Sequence, residues 1–82
     1  MEKIGIAIQG EFDYVKEFEL SDISALVFIG REFKHYKTQD TFNVITKDGK
    51  RYDGFGDFSY AKQMFISYHT NKISKAIETK WN

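Results

Sequence analysis

The run Thr41–Tyr60, TFNVITKDGKRYDGFGDFSY, constrains the fold more than any other stretch. Thr41–Lys47 is rich in β-branched and aromatic residues, which suit a pleated, half-buried surface. Asp48-Gly49 then predicts a two-residue hairpin turn, because a type I′ turn needs positive φ at both central positions. Arg51–Phe55 returns as the second strand. Gly54 and Gly56 loosen the backbone after it, and Asp57 or Ser59 is placed to cap a helix. The remaining segments must therefore fit around a hairpin that runs straight into a helix.

Upstream, the dominant period is two. Lys3–Gln9 sets Ile4, Ile6 and Ile8 on one face and Gly5 and Ala7 on the other. Gly10-Glu11 reads as a turn. Phe12–Leu20 alternates again, with Phe12, Tyr14, Phe18 and Leu20 on one face and Lys16 as the exception. Its other face carries Asp13, Val15, Glu17 and Glu19, which suits an exposed antiparallel sheet. Ile23–Ile29 has two readings. Ser21 is placed to cap a short helix ending at Gly30, but Val27-Phe28-Ile29 favours a strand. Arg31–Gln39 either continues that strand or forms a loop.

Tyr60–Trp81 contains neither Gly nor Pro and reads as helix. Its apolar stripe changes face. Ala61, Met64, Phe65 and Tyr68 make one stripe; Ile66, His69, Ile73, Ala76, Ile77 and Trp81 make another, rotated by about a third of a turn. A straight helix here is about 33 Å long, whereas a compact domain of this size is only about 30 Å across. The helix therefore bends near Asn71 or overhangs and offers Trp81 to a partner.

The expected fold is α+β: a four- to five-stranded antiparallel sheet, a meander, packed against one long C-terminal helix. It forms a single domain over 1–82, mainly β over 1–58 and helical over 59–81. Eighty-two residues support one modest core. The expected core is Ile4, Ile6, Ile8, Phe12, Phe18, Val27, Phe42, Val44, Phe58, Ala61, Phe65 and Tyr68. The order Leu20–Leu26 followed by Phe42–Phe55, in a meander closed by a C-terminal helix, is similar in outline to small pleckstrin-homology-like domains of bacteria. That resemblance is one of topology and implies no residue role.

Composition narrows the class of function. Hydrophobic residues make up 41% and charged residues 29%, as in a globular chain. No apolar run approaches the length of a membrane span, and no signal-peptide layout opens the chain. Cys is absent, which agrees with an expected cytoplasmic location and excludes thiol catalysis. Abundant Phe, Tyr, Ile and Lys and the absence of Pro suggest AT-rich coding, hence a low-GC bacterium or a phage or mobile element of one. Charge is balanced but segregated. Met1–Ile29 has six acids against two bases, net −4, and Gly30–Tyr52 has six bases against three acids, net +3. The structural reading is a two-signed polar surface; the functional one is a complementary docking face.

Motifs for chemistry are missing. Gly54-Phe55-Gly56 lacks the third glycine, the Gly-Lys-Ser/Thr and the βαβ context of a phosphate loop. Asp48, Asp53 and Asp57 lack calcium-loop spacing, and no cofactor or metal is expected. His35 and His69 have no orienter or nucleophile beside them in sequence, so His69 reads as a half-buried packing residue. Arg31, Lys34, His35, Tyr36 and Lys37, with Phe33, interleave cations and rings as single-stranded nucleic acid requires; a solvated strand or loop face is the structural alternative. Asp53, Phe55 and Asp57 combine acids and a ring around two glycines, either as core and cap or as a recognition loop.

The expected function is a small, non-enzymatic protein-binding module that modulates, or inhibits, a host protein. Its expected contacts are Asp53, Phe55, Asp57, Ile73, Ile77 and Trp81, and its partner is another protein or a second copy of the chain. The alternative is a nucleic-acid-binding accessory protein using Arg31–Lys37.

Overall fold

The structure, a computed structural model, describes residues 2–81, with side chains through residue 71. It is a five-stranded antiparallel sheet packed against one C-terminal helix, as the periodicities predict. The elements in chain order are β1 (Lys3–Ile8), β2 (Tyr14–Glu19), a 3-10 turn (Leu20–Asp22), β3 (Ile23–Lys34), β4 (Lys37–Thr46), β5 (Arg51–Gly56) and α1 (Phe58–Trp81). Strand order is β2-β1-β5-β4-β3, so the sheet stays open, with β2 and β3 at its edges. Among the described residues, no helix is long and apolar enough to cross a membrane.

The weakest seam of the sheet is between β1 and β5. β1 joins β5 through two residue pairs, Ala7↔Phe55 and Ile8↔Gly54, extended by a Gln9 N–H bond to the Asp53 carbonyl at 2.8 Å. β2 and β5 are separated by β1, so their side chains would stand roughly 10 Å apart on a flat sheet. Yet the Phe18 and Tyr52 rings meet edge to face at 5.3 Å. The two side chains therefore lean toward each other across β1 on the face of the sheet that carries the core. Gly54 sits at the corner. A Cβ there would lie 3.1 Å from both Ile6 Cγ2 and Phe42 Cε2, so the missing side chain is what lets those two meet.

Ile4, Ile6, Ile8, Phe18, Phe42, Val44 and Ala61 are buried as expected, and Phe58, Phe65 and Tyr68 pack partly buried against them. Two expected core residues are not in the core. Phe12 is 83% exposed and Val27 is 44% exposed. Phe12 is left in the loop because β2 starts only at Tyr14, after the Asp13 carboxylate accepts the Gly10 N–H and extends the turn. Val27 points outward because β3 carries bulges. Its register against β4 skips Ser24 and Ile29, and an inserted residue reverses the in–out alternation. Leu26 thus packs on the core where a regular strand would present Val27. Leu20 and Ile23, absent from the expected core, are fully buried. The 3-10 turn draws them in, fixed by Leu20 N–H to the Glu2 carbonyl (3.0 Å) and Lys47 N–H to the Asp22 carbonyl (2.9 Å).

Both turns between β3 and β5 depart from expectation. The β4–β5 connection is a three-residue loop, Lys47–Gly49, closed by Thr46 N–H to the Lys50 carbonyl at 2.9 Å. Within it only Gly49 has positive φ, at 86°, as in a type I turn followed by a glycine bulge. Asp48 stays out of the left-handed region because its carboxylate serves the loop itself, accepting the Thr46 hydroxyl and, at 3.4 Å, the Lys50 N–H. The two-residue turn lies instead between β3 and β4, at His35-Tyr36, with φ of 54° and 66°.

α1 is capped by Asp57, whose Oδ1 accepts the Tyr60 N–H at 3.1 Å. Asp40 Oδ2 accepts the Phe58 N–H at 3.0 Å. Ala61, Met64, Phe65, Tyr68 and His69 form the sheet-facing stripe. The helix continues past Asn71 to Trp81 without a break in its hydrogen-bonded pattern. The expected contacts through Ile73, Ile77 and Trp81 lie outside the described side chains.

Candidate functional site

The unusual backbone is at the tip of the β3–β4 hairpin. Lys34 pairs with Lys37, leaving His35 and Tyr36 as the whole loop. Such a turn normally takes Asn, Asp or Gly, because a side chain at positive φ is strained. Two consecutive non-glycine residues here store on the order of 1–3 kcal/mol each, which neighbouring contacts must offset.

Those contacts converge from three elements. Asp13, in the β1–β2 loop, places Oδ2 at 3.0 Å from His35 Nε2 and at 3.5 Å from Lys34 Nζ. Its Oδ1 accepts the Gly10 N–H at 3.3 Å. The His35 ring stacks on Phe55 of β5 with centroids 5.7 Å apart, and Lys34 Nζ sits 4.8 Å above the same ring. Gln39 Nε2 donates to the Lys34 carbonyl at 2.8 Å. The His35 hydrogen bond, then the Gly10 N–H, then the Lys34 charge hold the Asp13 carboxyl below the ordinary value of 3.8. The tip is thus bent back and braced onto the outer face of the sheet, over Phe55.

The brace leaves aromatic rings outside. Tyr36 is 96% exposed, and Phe33, three residues earlier on β3, is 73% exposed. Phe12, adjacent to Asp13, is the third exposed ring at this end. Apolar rings left in water at one end of a small domain are the usual raw material of a binding hot spot.

The sequence-derived sites redistribute on this frame. Phe55 is only 6% exposed and is covered by Lys34 and His35. Asp57 caps the helix. Asp53 lies exposed on the outer face of β5, its carbonyl bonded to Gln9. In the basic patch, Arg31 pairs with Asp40 at 3.2 Å, and Lys34 and His35 share Asp13. Only Lys37 has no ion-pair partner among the described residues. Phosphate binding uses cations to replace counterions, and in this patch Arg31, Lys34 and His35 each already face a carboxylate.

Sequence reasoning misses Asp13, places Phe12 in the core and reads Phe33 as part of the basic–aromatic patch. The available signal for Asp13 was an aspartate three residues after Gly10, placed to bond back to its backbone.

The chemistry of the site is limited. Asp13 does orient His35, which sequence spacing did not anticipate, but no hydroxyl of the described residues hydrogen-bonds that ring. His69 is half-buried as expected, 4.5 Å from the Phe65 ring and 5.3 Å from Tyr68. No group of three or more His, Asp or Glu gathers into a metal-binding cluster among the described residues. Comparison with known proteins gives no match to any family model, curated protein or solved structure.

Proposed function

We propose that this chain is a small, non-enzymatic binding module that docks the aromatic hairpin tip onto another protein. The observation that carries this reading is the braced turn: His35 and Tyr36, both at positive φ, carry a fully exposed ring at the end of a hairpin. Strain held in place by surrounding contacts marks a position where geometry matters more than local stability. A ring presented on such a turn loses little freedom on binding, which conserves affinity. Phe12 and Phe33 widen the apolar contact, and burying each ring contributes on the order of 1.5–3 kcal/mol. The neutralised cations around them favour a protein surface over a phosphate backbone.

The test compares tagged wild type with a Phe12→Ala/Phe33→Ala/Tyr36→Ala variant in quantitative pull-down from bacterial lysate, with and without nuclease. All three side chains are exposed, so circular dichroism should show an unchanged fold. The expected result is a protein retained by wild type, lost by the variant and indifferent to nuclease. Retention by the variant, or loss on nuclease treatment, would overturn the proposal.

A further inference from the structure

A second site, independent of the tip, lies at the mouth of the sheet. A cavity of about 500 Å³ opens between the end of β2 and the β4–β5 loop. Its floor is the edge-to-face pair Phe18–Tyr52. Lys16, the one charged residue on the inner face of β2, sets its Nζ 5.5 Å from the Phe18 centroid and 5.4 Å from the Tyr52 centroid. Lys47 and Lys50 reach the same cavity from the loop, beside Thr46. None of these three ammonium groups has a carboxylate within ion-pair distance among the described residues.

The acids lining the cavity are differently occupied. Glu17 pairs with Lys3 at 3.5 Å. Asp48 is tied to the Thr46 hydroxyl and the Lys50 N–H. Glu19 and Asp22 on the rim and the loop-bound carboxylate of Asp48 thus share the cavity with three lysines outside ion pairs. An ammonium within cation–π reach of two rings keeps N–H donors to offer an anion. We propose that this mouth binds an oxyanion, a carboxylate or a phosphate, with Lys16 as the central contact, Lys47 and Lys50 flanking it, and any apolar part of the ligand on Phe18 and Tyr52. A cavity of this size suits a small ligand, and the rings spare Lys16 much of the entropy loss of ordering a lysine on binding.

The test is an amide NMR titration with sodium phosphate and, separately, sodium acetate, at ionic strength held constant with sodium chloride. Wild type is compared with Lys16→Met, which keeps the stem packed on the rings, and with Lys47→Gln/Lys50→Gln, which alters only loop residues. Saturable shifts at Phe18, Gly49 and Lys50 are expected in wild type. Binding should weaken about tenfold in Lys16→Met, the loss expected for one charge-assisted contact. The anion that saturates identifies the source, phosphate or carboxylate. Shifts that stay linear, or that are equal in wild type and both variants, would overturn the site. So would saturation by arginine amide instead of either anion. Tyr36→Ala should leave the titration unchanged, so the fates of the tip and the mouth are read separately.

Discussion

Gly54 shows how much of this fold can rest on one missing side chain. At the corner between the β1–β2 ribbon and the other strands, Ile6 and Phe42 already fill the space a Cβ would need. Nothing about its backbone demands glycine, since its φ is not in the left-handed region; the requirement is volume. Gly54→Val should therefore destabilise by about 1–3 kcal/mol through overpacking. A urea titration reads this directly, and a midpoint equal to wild type would mean the corner can open freely. Gly49 is the contrasting case. There is open space around it, and its role comes from its positive φ alone.

At the scale of the element, β3 is the strand that period-two reasoning misreads. A bulge at Ser24 and another at Ile29 interrupt the alternation, so the core-packed positions Ile23 and Leu26 stand three residues apart instead of two. Bulges also bend and twist a strand, which suits an edge that must curl around the helix and end in a tip folded back over Phe55. The consequence is a sharp difference between neighbours on adjoining strands. Phe42, buried on β4, should cost roughly 3–5 kcal/mol on truncation to alanine. Val27→Ala, on the outward face of β3, should change stability by no more than about 0.5 kcal/mol. Denaturant midpoints of the two variants check both, and a large loss from Val27→Ala would show that the bulge at Ser24 is absent in solution.

For the whole molecule, the segregated charge of the chain meets at one point of the fold, around Asp13. The acidic first third meets the basic middle through Asp13 with Lys34 and His35. Asp13 thereby joins the β1–β2 loop, the hairpin tip and β5. Its folded-state pKa lies below 3.8, so its contribution is fully present above that value and is lost as pH falls through the lower folded-state value. Urea midpoints of wild type and Asp13→Asn, followed from about pH 5 to about pH 2, should differ most at the upper end and converge at the lower. Curves that stay parallel throughout would mean that the brace does not depend on the Asp13 charge. Because the two proteins differ at one exposed carboxyl, other titrating groups cancel in the comparison.

What the chain alone determined was the set of elements. Ile4, Ile6 and Ile8 at period two, a turn residue set at Asp48-Gly49, and a Gly- and Pro-free stretch with Ala61, Met64, Phe65 and Tyr68 on one face specify strands, a hairpin and a helix by local physics. Asp57 announced the start of that helix by its capping chemistry. The tertiary structure alone decided how those elements close on each other and which side chains remain outside. The corner at Gly54 depends on Ile6 and Phe42 arriving together from distant positions. The turn at His35-Tyr36 runs against local preference and persists because Asp13 and Phe55, each about twenty residues away in sequence, hold it. Phe12 reads as a buried ring until the structure starts β2 at Tyr14 and leaves it in the loop. Local preference is encoded residue by residue, whereas strain and exposure are set by what packs nearby, and that is known only once the chain has folded.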